Sequence, residues 1–162
     1  MTIDLIVNGE DMKIRAEPAE RLAEVLRRSR AAPSLTIDCG GGFCGKCLVL
    51  LDGKPVASCL VPAFRARGSE VVSYEGFMST QEAAQVEAAL TAAGARLCPF
   101  CKPAYSLALG FIAENRARIG EDEALAIVSS VRCTCSDPSA VVEAARALAG
   151  EPGDQRASRA HR

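Results

Sequence analysis

The side chains in this sequence best placed to do chemistry are its eight cysteines, which divide into two sets of four. The first set runs Cys39-x4-Cys44-x2-Cys47-x11-Cys59 and the second Cys98-x2-Cys101-x31-Cys133-x-Cys135. Four thiolates complete one metal centre, so an equal division points to two centres, one in each half of the chain. The single histidine, His161, excludes a Rieske centre, which takes two imidazoles on one iron. Disulfides are the competing use of paired cysteines. Met1-Thr2-Ile3-Asp4-Leu5 has neither the basic n-region nor the cleavage site of a secretory signal, so the expectation is a cytoplasmic protein whose thiols stay reduced.

The x4, x2 spacing of the first set is that of plant-type ferredoxins. Three thiolates then reach two irons from one irregular loop, and the fourth, Cys59, arrives from a strand. Gly40, Gly41, Gly42 and Gly45 permit positive φ and bring backbone N–H groups close to the sulfurs, where hydrogen bonds help set the potential of an anionic cluster. Structural zinc is the alternative, but zinc loops usually pair their ligands as two short knuckles. The second set is more open. Cys133-Thr134-Cys135 in extended chain projects both thiols to one side, and Cys98-Pro99-Phe100-Cys101 makes a turn ahead of a helix. Taken alone, it suits zinc and iron–sulfur equally. A thioredoxin-type redox pair would follow a strand of a βαβ unit, whereas Cys98 follows an alanine-rich helical stretch.

The elements that must position these ligands change character along the chain. Residues 1–76 read as a small α+β unit. Ile3, Leu5 and Val7 alternate with polar positions, Asn8-Gly9 marks a hairpin, and Met12, Ile14 and Ala16 continue the alternation. A helix follows Pro18, carrying Leu22, Val25 and Leu26. Leu48–Leu51 and Val56–Leu60 flank a second hairpin at Asp52-Gly53, and Val71–Tyr74 adds a strand. Residues 77–150 read as four helices in a bundle. Ser79 and Glu82 form a capping box, and Val86, Ala89 and Leu90 make an apolar stripe. Helices over Pro103–Asn115 and Asp122–Ser130 follow. The last runs from the Asp137-Pro138 N-terminus to Gly150. Residues 151–162 lack apolar anchors and read as a disordered tail.

The 162 residues are 49% hydrophobic and 24% charged, with 19 basic against 20 acidic side chains and a net charge of −1. That balance gives no electrostatic reason to expect a nucleic-acid partner or a polybasic membrane anchor. The longest apolar run, Leu107–Ala113, is too short for a membrane span.

With both cysteine sets in view, the sequence resembles the small iron–sulfur subunit of the molybdenum hydroxylases, the xanthine oxidase and aerobic carbon monoxide dehydrogenase group. The resemblance covers residues 3–148. It is carried by Cys44-Gly-Lys-Cys47-Leu-Val-Leu, Asp52-Gly-Lys-Pro-Val-Ala-Ser-Cys59-Leu-Val-Pro, Glu75-Gly76, Cys98-Pro-Phe-Cys101-Lys-Pro and Cys133-Thr-Cys135. It implies a ferredoxin-like β-grasp domain followed by an all-α four-helix domain, each binding one [2Fe–2S] cluster. Cys39, Cys44, Cys47 and Cys59 would hold the flavin-proximal cluster, and Cys98, Cys101, Cys133 and Cys135 the cluster nearest a molybdopterin. Electrons would then move from molybdenum in a large subunit to FAD in a medium subunit, in a dimer of heterotrimers. No substrate chemistry would occur on this chain.

Several positions depart from the family pattern. Leu97 replaces the Gln that usually hydrogen-bonds the pterin, Thr134 replaces Arg between the last two cysteines, and Ser136-Asp137-Pro138 replaces Thr-Gly-Tyr. Upstream, Ser34-Leu35-Thr36 replaces Gly-Thr-Lys. A leucine cannot supply an amide's hydrogen bonds, so the pterin contact must differ or be absent. That keeps open an enzyme with flavin chemistry or an atypical pterin site. A zinc-stabilised assembly module and a standalone two-cluster ferredoxin are further alternatives. Lys46, Lys102 and Arg132 stand beside cysteines of the two sets, where each is either a charge that raises a cluster's potential or ordinary surface charge.

Overall fold

The computed structural model describes residues 1–149; the closing Gly150 and the tail expected over 151–162 lie outside the described residues. Strand β1 (Thr2–Val7) buries Ile3, Leu5 and Val7 and exposes the residues between them, the period-2 pattern of a half-buried strand. Asn8 and Gly9 both have positive φ, 53° and 83°, which matches the twist of the flanking strands and turns the chain into β2 (Glu10–Arg15). Asp52 and Gly53, at 49° and 73°, repeat the device between β3 (Leu48–Leu51) and β4 (Lys54–Ala57). Strand β5 (Glu70–Val72) pairs parallel to β1 and antiparallel to β3, which closes a mixed sheet in the order β2-β1-β5-β3-β4. Helix α1 (Leu22–Arg28) lays Leu22, Ala23, Val25 and Leu26 into the core beneath that sheet. Its first turn is tied by the Glu24 carboxylate, which accepts the Arg21 N–H at 3.0 Å. The result is the expected ferredoxin-like domain.

Three local expectations are corrected. The strand read over Val56–Leu60 ends at Ala57, and Ser58–Leu60 forms a turn of 3-10 helix. Cys59 is therefore presented by a tight turn and not by a strand. The cause is Ser58, whose hydroxyl and N–H both donate to the Cys47 carbonyl, at 2.6 and 3.1 Å, and curl the chain back onto the ligand loop. The strand read over Val71–Tyr74 stops at Val72, because the Ser73 N–H is taken by Asn8 Oδ1 at 2.8 Å. Tyr74–Phe77 then forms the short helix α2. The Ser79–Glu82 capping box does not form. Helix α3 (Gln81–Ala92) starts after Thr80, whose hydroxyl instead donates to Phe77 O at 2.8 Å.

Helices α4 (Lys102–Glu114), α5 (Glu121–Ser129) and α6 (Pro138–Ala149) complete the helical half with α3. Asp137 caps α6 by accepting the Ser139 N–H at 2.9 Å. Helix α4 is central, buried from Pro103 through Gly110 and again at Ile112. Gly110 is required there, because a Cβ would run into the ring of Phe77. The described residues form two apolar cores, and β3 serves both: Val49 faces the first, while Leu48 and Leu50 join Phe77 in the second. A strand buried on two faces reads as an unbroken apolar run, as Leu-Val-Leu-Leu does here. No described helix is long and apolar enough to cross a membrane.

Candidate metal centres

The ligand loop of the first set connects α1 to β3 and has no regular structure, so its backbone amides are free to point at sulfur. Gly40, Gly42 and Gly45 all take positive φ. The Cys44 N–H lies 3.3 Å from Cys39 Sγ. Amides of Gly41, Cys44 and Phe43 together hold the exposed Cys39 thiol down to about 6. Cys47, at the start of β3, is buried, and burial pushes its thiol up to about 11, with the neighbouring Cys59 thiol adding to the rise. At neutral pH a thiol of that kind stays protonated unless a positive metal takes the thiolate. Cys39 thus lies beside Cys44, and Cys47 beside Cys59, but the structure does not gather these four sulfurs around one point. Two ligands to each of two irons is what a [2Fe–2S] cluster takes.

The second set is gathered from two distant segments. Cys98–Cys101 forms a turn whose Cys98 carbonyl accepts from the N–H groups of Cys101 and Lys102 at 3.2 and 3.0 Å, which places Cys101 as the N-terminal cap of α4. Cys133 and Cys135 come from the connection between α5 and α6. That connection is pinned by Tyr105 of α4, whose buried hydroxyl donates to Val131 O at 2.8 Å. Burial and then the nearby thiolates push the phenol up to about 12, so it remains a donor. All four sulfurs lie within 4.8 Å of one another, the only such group of metal-binding side chains among the described residues. Cys101 is fully buried, and burial raises its thiol well above the ordinary value. Four thiolates with no other donor suit zinc or an iron–sulfur cluster.

The two sites meet at a seam. Cys44 O accepts the Arg132 N–H at 2.8 Å, so one hydrogen bond joins a cysteine of the first set to the residue beside Cys133. A Cβ on Gly45 would collide with the Ser130 carbonyl, so this approach of loop to helical half requires glycine. A second tie lies on the Glu75-Gly76 junction. Glu75 Oε1 accepts from Ser34 N and Oγ at 2.8 and 2.6 Å, and Oε2 accepts from Ser73 Oγ at 2.6 Å. Asn8 Nδ2 donates to the same Ser73 hydroxyl at 3.0 Å. Ser34 stands where a family Gly-Thr-Lys segment was expected, and the structure gives it this specific task.

Sequence reasoning did not find the Asn8–Ser73–Glu75–Ser34 network, since its members are up to 65 residues apart. It also missed Phe43 and Phe100. Each directly precedes a cysteine of one set, and they are 75% and 66% exposed, with Leu60 at 55% beside the first loop. Large exposed aromatics next to both sites are the usual mark of contact surfaces. Leu97 is half-buried and packs against the helical core. Thr134 is exposed.

Comparison with known proteins adds to this geometry. The 2Fe-2S iron-sulfur cluster binding domain family matches residues 5–72. The xanthine dehydrogenase iron-sulfur-binding subunit of Escherichia coli O157:H7 is 35% identical over 108 residues, 67% of each chain. The nicotinate dehydrogenase small FeS subunit of Eubacterium barkeri is 29% identical over 136 residues, 84% of this chain and 87% of that one. Among solved structures, quinoline 2-oxidoreductase from Pseudomonas putida 86 superimposes with a TM-score of 0.78 at 29% identity, covering 92% of each chain.

Proposed function

Because this chain belongs to the small iron–sulfur subunits of the xanthine dehydrogenase family of molybdenum hydroxylases, we propose that it holds two [2Fe–2S] clusters. They would stand between a molybdopterin centre in a large subunit and FAD in a medium subunit. It is an electron-transfer subunit of a dehydrogenase-type complex and carries the iron–sulfur centre, not the substrate site. On this reading residues 1–76 form one cluster-binding unit, with Cys39, Cys44, Cys47 and Cys59 as ligands on the flavin side. Residues 77–150 form the other, with Cys98, Cys101, Cys133 and Cys135 as ligands on the pterin side. The observation that carries it is the gathering of four thiols around one point from segments 31 residues apart in sequence, beside a ferredoxin-type loop.

When bound, a [2Fe–2S] cluster supplies the capacity to take up and release one electron at a time. The protein's part is positional. Loop amides at Gly41, Phe43 and Cys44 stabilise thiolate at Cys39. Tyr105 holds the Cys133 segment against the Cys98 turn. The bond from Arg132 N–H to Cys44 O fixes the separation of the two ligand sets. Exposed Phe43 and Leu60 beside the first set, and exposed Phe100 beside the second, suit docking against partner subunits. Leu97 folds onto the helical core and offers no polar group, so the pterin contact of this subunit differs from the family's usual amide. A dimer of heterotrimers in the cytoplasm completes the proposal.

The test is anaerobic purification with native partners, followed by quantification of iron, zinc, molybdenum and flavin per chain. Two clusters require about four irons per chain, with two distinct EPR signals after reduction, and molybdenum and FAD in the partner subunits. Four irons without molybdenum would keep the clusters and discard the pterin partner. Zinc in place of iron would overturn the reading altogether.

A further inference from the structure

Three cations stand beside cysteines of the two sets in sequence, and the fold gives them different surroundings. Lys102 turns to α3, with Nζ 3.0 Å from Glu87 Oε1. Arg132 is exposed and engages the first set through its backbone N–H. Lys46 is drawn inward. Its side chain keeps 23% of its exposure, and its ammonium lies 2.6 Å from Asp38 Oδ2. It sits between buried Gly45 and buried Cys47. Gly45 abuts Ser130 and Val131 on the approach to Cys133, and Cys44 O is bonded to Arg132 N–H. Lys46 thus lies between Cys44 and Cys47 of the first set, on the stretch of loop that meets Ser130–Arg132 just ahead of Cys133 of the second.

We propose that Lys46, held at the seam by Asp38, is a shared electrostatic positioning residue that raises the reduction potential of both clusters together. The inference rests on the reading that each cysteine set carries a [2Fe–2S] cluster. Each such cluster is anionic and gains one further negative charge when it accepts an electron. A fixed cation nearby therefore stabilises the reduced form more than the oxidised one. Partial burial keeps that field from being screened as it would be on open surface. Asp38 anchors the ammonium but opposes it, so the two residues must act with opposite signs.

The test is an EPR-monitored redox titration of the assembled, cluster-loaded complex, with iron counted first. Wild-type protein without two iron–sulfur signals would sink the two-cluster reading itself and leave nothing for Lys46 to tune. With both signals present, Lys46→Gln is expected to lower both midpoints. The shift corresponds to a three- to tenfold change in the reduced-to-oxidised ratio at fixed potential, or about 28–59 mV for a one-electron couple. Lys46→Arg should restore the wild-type values, Asp38→Asn should raise both, and Lys102→Gln should move neither. Unchanged midpoints in iron-replete Lys46→Gln, or a shift confined to one cluster, would overturn the shared role. If Lys46→Gln loses iron, Asp38→Asn decides: no upward shift of both midpoints refutes the inference.

Discussion

If each set carries one cluster, as proposed, the two cysteine sets solve the same coordination problem by different means. Three cysteines of the first set lie within nine consecutive residues, on a loop whose amides point at Cys39 and whose thiols grade from exposed Cys39 through half-buried Cys44 to buried Cys47. That site is a local object. The second set exists only because α4 and the α5–α6 connection pack together, with Tyr105 bonded to Val131 O and Cys101 sunk in the helical core. That site is a tertiary object. Damage to the first should remain local, and damage to the second should spread into the fold.

The largest contrast should come from replacing one ligand in each site. In both Cys39→Ser and Cys101→Ser, iron is expected to fall from about four to about two per chain, as one cluster is lost. Stability should separate them. Both variants forfeit the stability their cluster supplies, but Cys39 is exposed, so its variant should lose little beyond that. Cys101 is fully buried at the start of α4, and a serine hydroxyl left unpaired there costs about 1–3 kcal/mol on top of the lost cluster. Iron assay combined with thermal denaturation tests both. Equal destabilisation by the two substitutions would erase the distinction between a local and a tertiary site.

The same distinction explains what could be read from the sequence. The first set was legible because x4, x2 spacing in a glycine-rich loop is itself the geometry. The hairpins at Asn8-Gly9 and Asp52-Gly53 were legible because two residues suffice to specify a primed turn. Cys59 was misplaced on a strand, because the deciding contact, Ser58 to the Cys47 carbonyl, spans 11 residues. The double role of β3 was hidden, since a run such as Leu48–Leu51 shows no alternation to say which face belongs to which core. Lys46 and Lys102 looked equivalent by adjacency to cysteines. Only the packing of Gly45 against Ser130, and of Lys102 against Glu87, separates them.

Two glycines sharpen the comparison at the next level of effect. Gly45→Ala introduces a Cβ against the Ser130 carbonyl at a φ of +67°, and both the strain and the overlap must be relieved by moving the loop off the helical half. A cost of about 1–3 kcal/mol is expected, and the EPR signals of both clusters should change, because the Cys44–Arg132 bond is lost with the movement. Gly110→Ala drives a Cβ into the Phe77 ring inside the helical core. It should destabilise by a similar amount, yet leave the first cluster's signal as it was. A first-cluster signal that changes in Gly110→Ala would mean the two halves are coupled more tightly than the seam contacts imply.

The smallest expected effect concerns the other tie between loop and junction, Glu75. Burial works against ionisation of this carboxyl, but hydrogen bonds from Ser34 and Ser73 outweigh it and hold Glu75 below the ordinary value of 4.5. A carboxylate depressed in the folded state stabilises above its unfolded value, and that contribution disappears as pH falls through the lower folded value. Glu75→Gln keeps the shape and removes the charge, so it should cost about 1 kcal/mol at neutral pH. The gap from wild type should narrow below about pH 4.5, where the native carboxyl also becomes neutral. Acid releases iron from both proteins through protonation of the ligand thiolates, so neither melting curve is informative alone. Their difference is, because Glu75 touches neither cysteine set and the iron-linked loss is common to both. A gap that stays constant from neutral pH into acid would show that Glu75 ties the ligand loop to the junction by shape and not by charge.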